Sequence, residues 1–336
     1  MGTDSHSYDV VVSEDVWGEP FDGLARERSV LAGADLWSDR TRLTRVLETA
    51  QALVVRNRTT VDAELIRAAP GLKVIARAGV GLENIDVQAA DERGVVVVSP
   101  RGANSRSVAE YTIGSALALL RGLLPHDRAV RDGAWNRHPG RELSGRTWGI
   151  LGAGSTGLAV ARLARGFGMP VTGYDPYVDD DDPQLAASGV RLVSLDALCR
   201  EADVISVHLP GGPETSGLVD RRLMKLMGSE TILINVGRGE VVDEEALAEA
   251  LENGDLAGAA LDVRASEPPV PAALERLDNT LLTPHIAGIT EESQDRIVHA
   301  LVADIRAVLA GDEAAHAVGR ARAVSGEPAD GPGARP

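Results

Sequence analysis

The chain has 336 residues, 44% of them hydrophobic and 25% charged, enough for about two packed domains. Its formal charge of −16 argues against a polyanionic partner such as nucleic acid and against an acidic membrane surface, while local arginines still permit a small anionic ligand. The single cysteine, Cys199, rules out an internal disulfide framework and a cysteine-based zinc site, and no metal site is read from the sequence. Aromatic residues make up only 3%, so the core must be built from Val, Leu, Ile and Ala. The polar start, Met1 to Ser7, carries no hydrophobic signal segment, and no stretch approaches the ~20 apolar residues of a membrane span. The expected location is cytoplasmic.

Tyr8 to Ser13 reads as a first strand, residues 41–50 as a helix with Leu43, Val46 and Leu47 on one face, and Ala52–Val55 as a second strand ending at Arg56. Val61 to Ala69 reads as a helix stopped by Pro70-Gly71, and Lys73–Ala76 as a third strand ending at Arg77. The turn Gly79-Val80-Gly81 follows, then a helix from Asp86 as N-cap to about Arg93, and the strand Val95–Val98. Apolar strands alternating with helices imply a parallel sheet covered on both faces, with ligands beyond the carboxyl ends of the strands. Arg56, Arg77 and the Gly79–Gly81 turn all fall at such ends and are candidates for a shared anion site.

Pro100 to Asn104 reads as a hinge. Helices are expected from Ser107 to about Leu120 and over 123–132, followed by an irregular arm, Gly133 to Pro139, that carries Trp135. The strand Trp148-Gly149-Ile150-Leu151 then runs into Gly152-Ala153-Gly154-Ser155-Thr156-Gly157, a helical run from Leu158 to Phe167, and Val171-Thr172-Gly173-Tyr174-Asp175. This is the strand–turn–helix–strand context of a dinucleotide fingerprint. Gly152 allows the tight turn, Gly154 lets backbone approach a pyrophosphate, and Gly157 lets helix pack on strand. Asp175 can accept hydrogen bonds from the adenosine ribose, which favours NAD over NADP.

Asp179 to Pro183 reads as a solvated acidic loop and is assigned no function. Strands are expected at Val190–Val193, Val204–Val207, Thr231–Val236, Ala259–Val263 and Thr280–Thr283, with a loop from Leu209-Pro210 to Thr215 and a helix from Glu244 to Glu252. Cys199, at a helix end before a strand, reads as a buried structural thiol. A helix from about Glu291 to Leu309 is expected to cross back onto the first domain and make it discontinuous. Residues 319–336, rich in Gly, Pro, Ala and Arg without periodicity, read as a disordered tail.

Three polar residues stand where apolar strands give way to loops: Arg238, Glu267 and His285. Reduction of a carbonyl by a nicotinamide needs a proton donor, for which histidine titrates in the useful range. A carboxylate can hold the imidazolium, and an arginine can grip a substrate carboxylate and polarise the carbonyl.

Taken together these stretches resemble the D-isomer-specific 2-hydroxyacid dehydrogenases, nearest to the 3-phosphoglycerate dehydrogenase branch, from about Val10 to Leu309. The landmarks are Val55-Arg56; Arg77-Ala78-Gly79-Val80-Gly81 with Asn84-Ile85-Asp86; Asn104-Ser105 and Val108-Ala109-Glu110; the fingerprint and Tyr174-Asp175-Pro176; His208-Leu209-Pro210; Ile234 to Gly239; Ala260-Leu261-Asp262-Val263; Glu267-Pro268; and Thr283 to Gly288. The resemblance implies an α/β fold of two doubly wound parallel-sheet domains. A Rossmann cofactor domain (103–286) would be inserted into a flavodoxin-like substrate domain (1–102 and 287–318), with a tail at 319–336. It implies His285 as acid/base, Glu267 as its partner and Arg238 as substrate anchor. Val80 and Gly81 amides would hold the substrate carboxylate with Asn104 nearby, and Arg56 and Arg77 would favour a distal anionic group, as in 3-phosphoglycerate or a phosphonate or dicarboxylate analogue. Ser155 and Thr156 would lie on the pyrophosphate. Leu209, Pro210, Thr215, Val236, Gly237, Asp262 and Gly288 would line NAD, with Asp262 facing the nicotinamide. A homodimer packed through the cofactor domain is implied, consistent with Trp135 in an arm.

Three positions depart from the family pattern. Arg264 stands where an aromatic is frequent, and Ile289 and Glu240 stand where smaller residues are common. Arg264 is expected to alter the charge of the pocket. The chain also lacks the regulatory domains of longer phosphoglycerate dehydrogenases, so serine feedback through such a domain is not expected. The competing readings are a hydroxypyruvate or glyoxylate reductase, which needs no distal anion site; oxidation of formate or phosphite; and, in a different class, an NADH-sensing protein of corepressor type.

Overall fold

The computed structural model describes residues 7–16 and 18–322. The chain divides into two compact units, one formed by the residues up to Asn104 together with those from Thr290 onward, the other by Ser105–Ile289. The strands are β1 (Val10–Val12), β2 (Val30–Ala32), β3 (Ala52–Val55), β4 (Val74–Arg77) and β5 (Val96–Val98) in the first unit. In the second they are β6 (Trp148–Leu151), β7 (Val171–Tyr174), β8 (Val190–Leu192), β9 (Val204–Val207), β10 (Ile232–Asn235), β11 (Gly258–Leu261) and β12 (Thr280–Leu282). The last, β13 (Ala317–Val318), returns to the first unit.

In the first unit the order is β13-β5-β4-β3-β1-β2. Strands β1 to β5 are parallel in the flavodoxin-like order 2-1-3-4-5. Every residue of β1, β3, β4 and β5 is buried, which is why these segments are continuous apolar runs rather than alternating ones. Three crossover helices, Arg40–Leu47, Ala63–Ala68 and Val87–Glu92, start on aspartates whose side chains accept from backbone N–H groups: Asp39, Asp62 and Asp86. The helix Glu291–Ala310 opens on a Thr290/Ser293 capping box and buries Ile297, Leu301, Val302 and Ile305 in the core of this unit.

The sequence pattern left residues 14–40 unassigned. They hold the helix Glu19–Glu27, with a proline in its first turn and Phe21 and Leu24 buried, and the edge strand β2, whose three part-exposed residues carry little periodic signal. β13 adds an antiparallel edge, Ala317 opposite Val98. The expected tail begins later than residue 319, because the N–H groups of Arg320 and Ala321 both donate to Asp91 Oδ1. Residues 323–336 of that tail lie outside the described residues.

The second unit is an all-parallel sheet in the order β12-β11-β10-β9-β6-β7-β8. Counted from β6, this is the dinucleotide-fold order 3-2-1-4-5-6 with one further strand. The order reverses between β6 and β9, and the polar residues of interest follow the carboxyl ends of β6, β7, β9, β10, β11 and β12. Trp148 is fully enclosed, and its indole N–H donates to Ser206 Oγ at 2.8 Å, which also bonds His208 Nε2 at 2.8 Å. Two short helices, Pro183–Ser188 and Arg221–Met224, went unread; the first begins inside the acidic run, where Asp182 caps it. Among the described residues no helix is long and apolar enough to cross a membrane.

Candidate active site

The turn after β6 is shaped for close backbone approach. Gly152 sits at φ +98°, a conformation side chains disfavour, and a Cβ on Gly157 would stand 2.0 Å from the Gly152 carbonyl. Above Gly154, the N-cap of the helix Ser155–Gly166, the space is open, so its first N–H groups face room for an anion. The hydroxyls of Ser155 and Thr156 meet Ser105 Oγ at 3.2 and 3.1 Å, tying the start of the helix Ser105–Leu120 to the fingerprint. At the end of β7, Asp175 accepts from the N–H of Ala153 at 2.9 Å and of Tyr177 at 3.0 Å, which fixes the carboxylate beside the glycine turn. These features fit a dinucleotide. On the neighbouring loop Leu209 is buried, and Thr215 donates its hydroxyl to the Pro210 carbonyl at 2.7 Å. Gly237 packs so closely that a Cβ would lie 2.7 Å from the Leu209 carbonyl, and Val236 leads into it from β10.

Two of the three polar residues meet directly: His285 Nδ1 lies 2.8 Å from Glu267 Oε2. His285 has φ +57°, a left-handed conformation uncommon outside glycine that local contacts must hold. The constraint is visible, since its N–H donates to the Asp262 carbonyl at 2.8 Å. Asp262, 2% exposed, takes up the whole following turn. Its Oδ1 accepts from Thr283 Oγ1 at 2.7 Å and from the Ile286 N–H at 2.8 Å, and its Oδ2 from the Ala287 N–H, just before Gly288, at 2.7 Å. Its carboxylate thus holds the loop that carries His285, at the end of β11 where sequence reasoning set it toward the nicotinamide. Arg238 follows β10, its Nη1 donating to the Gly237 carbonyl at 2.8 Å while Asn235 Nδ2 donates to the Arg238 carbonyl at 3.0 Å. With Nδ1 taken by a carboxylate, His285 has Nε2 left for exchanging a proton with a bound oxygen.

In the first unit the loop after β3 is organised by a residue that sequence reasoning missed. Glu14, 5% exposed, accepts from the N–H groups of Arg56 (2.7 Å), Asn57 (3.2 Å), Arg58 (3.0 Å) and Thr59 (3.0 Å). Burial alone would raise its pKa, but the backbone donors of Thr59, Arg56 and Arg58 hold it below the usual carboxylate value. In sequence it is one acid after an apolar strand, with nothing to mark it out. Arg58, also missed, lies over the Trp37 ring at 5.0 Å. Arg77 is only 8% exposed; its Nη1 donates to the Ala78 carbonyl at 2.9 Å and lies beneath Gly79, where a Cβ would approach it to 2.4 Å. Arg77 therefore underpins the Gly79-Val80-Gly81 turn, and Ser99 Oγ bonds the Gly79 carbonyl from another side at 2.9 Å. Asn104 ends the first segment of this unit.

Residues 113–287 match the family described as D-isomer specific 2-hydroxyacid dehydrogenase, NAD binding domain. The chain belongs to this family. It is 44% identical to the D-3-phosphoglycerate dehydrogenase of Mycobacterium tuberculosis over 277 residues, 82% of this chain but 52% of that protein. It thus spans about half the length of that relative. It is 39% identical to the (S)-sulfolactate dehydrogenase of Chromohalobacter salexigens over 306 residues, covering 90% of this chain and 98% of that one. The crystal structure of the TT0316 protein from Thermus thermophilus superposes with a TM-score of 0.84 at 35% identity, over 92% of this chain and 99% of that one.

Two of the three departures from the family pattern, Arg264 and Glu240, have local partners. The Arg264 side chain, 7% exposed, is enclosed between the carboxylates of Glu244 and Glu275. Glu240 accepts from the Gly212 N–H at 2.6 Å and steadies the loop after Leu209. Ile289 is exposed, and nothing in the structure explains it. Cys199 is fully enclosed, and burial pushes its thiol up to about 11, which keeps it protonated and inert.

Proposed function

We propose that the chain is an NAD-dependent dehydrogenase that interconverts a D-2-hydroxy acid and its 2-oxo acid, with a distal anionic group on the substrate. The observation that carries the reaction is the 2.8 Å contact between His285 Nδ1 and Glu267 Oε2 on adjoining loops of the NAD-binding unit. NADH, when bound at the glycine turn, would supply a hydride for the carbonyl carbon. His285 gives the oxygen its proton from Nε2, and Glu267 on the other ring nitrogen stabilises the charged imidazole before transfer. Arg238 grips the substrate carboxylate and polarises the carbonyl. In the first unit the amides of Val80 and Gly81, with Asn104, are the groups proposed for a substrate carboxylate. In the oxidative direction His285 takes the hydroxyl proton back.

Arg56 and Arg77 are the residues proposed for the distal anion, and Arg58 stands beside Arg56 on the loop held by Glu14. The phosphate of 3-phosphoglycerate and the sulfonate of sulfolactate, named for two relatives, are both distal anions. Asp175 at the end of β7 favours NAD over NADP, because a 2′-phosphate would meet its carboxylate. The helix Leu123–Arg131 buries none of its residues, and Leu123, Leu124, Val130 and Trp135 are exposed, which supports self-association of the NAD-binding unit as a homodimer.

The test is NADH consumption with 3-phosphohydroxypyruvate, sulfopyruvate, phosphonopyruvate, hydroxypyruvate and glyoxylate, repeated with NADPH. Preference for the first three with NADH supports the proposal. Preference for the last two makes the chain a hydroxypyruvate or glyoxylate reductase, and tight NADH binding without turnover makes it a sensor.

A further inference from the structure

The segment Arg264 to Glu267 is gripped from three sides. The Arg264 guanidinium donates to Glu244 Oε1 from Nε at 3.1 Å and to Glu244 Oε2 from Nη2 at 2.8 Å, a two-point pairing. Its Nη1 donates to Glu275 Oε1 at 2.5 Å, and Glu275 Oε2 accepts from the Ala272 N–H at 2.7 Å. Glu244 Oε1 also accepts from the Ala265 N–H at 2.7 Å. On the third side lies Gly239, next to Arg238; a Cβ there would stand 1.9 Å from the Arg264 carbonyl carbon and 2.3 Å from the Ala265 nitrogen. The same short stretch then reaches the reacting pair, since the Arg264 N–H donates to Glu267 Oε1 at 3.1 Å while Glu267 Oε2 holds His285 at 2.8 Å.

We infer that Arg264 is a positioning residue for hydride-transfer chemistry: clamped by Glu244 and Glu275, it fixes the loop whose backbone aims the Glu267 carboxylate at His285 and seats it against the Arg238-Gly239 segment. The inference rests on the dehydrogenase reading above. Arg264 does not touch the substrate; it acts through Glu267. A loose aromatic in its place would leave Glu244 and Glu275 without their shared cation, and the Glu244 oxygen that accepts from the Ala265 N–H without the guanidinium that holds it in place. The pairing also keeps the guanidinium firmly charged, chiefly through its bond to Glu244, and Arg264 in turn holds the Glu275 carboxyl below its usual value.

The experiment uses the full chain labelled with nitrogen-15 histidine, in which the Nδ1 hydrogen-bond signal of His285 is assigned as the one missing from His285→Gln. Arg264→Met is expected to weaken or shift this signal and to lower kcat about tenfold with NADH affinity unchanged, the size expected for slight misplacement of an otherwise intact group. Arg264→Lys should restore part of both. Glu275→Gln, which leaves the Glu244 pairing in place, should move the signal in the same direction by less, and it decides the matter if Arg264→Met does not fold. An unmoved His285 signal in the folded variants overturns the inference. Absence of turnover by the unmutated chain on every 2-oxo acid would overturn the dehydrogenase reading instead, and the spectroscopic result would still stand on its own.

Discussion

The loop that carries His285 and the loop that carries Arg56 are built on the same device and used differently. In each, a buried carboxylate gathers backbone N–H groups: Asp262 takes those of Ile286 and Ala287, and Glu14 takes those of residues 56 to 59. Around Asp262 the result is a fixed side chain, with His285 held at positive φ and its Nδ1 on Glu267. Around Glu14 the backbone is fixed, but Arg56 and Arg58 keep long side chains on it, Arg58 resting on Trp37. A proton donor must be aimed to within tenths of an ångström, whereas an anion's charge can be met by a mobile guanidinium. Chemistry is therefore expected to be brittle to mutation in the second unit, and substrate preference adjustable in the first.

The largest expected effect breaks the rigid side of this contrast. His285→Gln should lower kcat about 10³-fold while NADH still binds, measured by steady-state turnover and nicotinamide fluorescence. Asp262→Asn comes next. Its amide must turn a donor toward one of the loop N–H groups, which should cost about 2 kcal/mol in urea denaturation and lower kcat as the His285 turn loosens. On the adjustable side, Arg56→Gln should raise KM for a phosphorylated 2-oxo acid about tenfold, the scale of one charge-assisted hydrogen bond, and leave hydroxypyruvate little changed.

The last prediction concerns stability rather than turnover: His208 Nδ1 is buried without a hydrogen-bond partner, and burial lowers the pKa of the ring from 6.5 to about 3. The unfolded chain binds a proton there below pH ~6.5 that the folded chain refuses until about pH 3, so stability falls with falling pH across that window. Between pH 7 and pH 5 the loss should be about 2 kcal/mol, and His208→Gln should flatten it in paired urea titrations.

Both sheets and the pair at Glu267 and His285 were legible in the sequence, because fully buried parallel strands are apolar throughout and because the glycine fingerprint with a terminal acid has few other causes. The edge strand β2 and the helix Glu19–Glu27 were not, since short half-exposed elements leave no periodic trace. Asp262 was recognised as important, yet its partners come from residues 283 to 287, which only the fold brings to it. Glu14 and the Glu244–Arg264–Glu275 cluster stayed hidden for the same reason: a charged residue after a strand or on a helix reads as a solvated surface until its partners are seen.

The most direct test of the whole account is the ratio of kcat/KM for 3-phosphohydroxypyruvate over hydroxypyruvate, in the unmutated chain and in Arg56→Gln/Arg58→Gln. A ratio well above one that collapses in the double variant, with hydroxypyruvate turnover kept, is the predicted result. A ratio near one that the double variant leaves unchanged would contradict it.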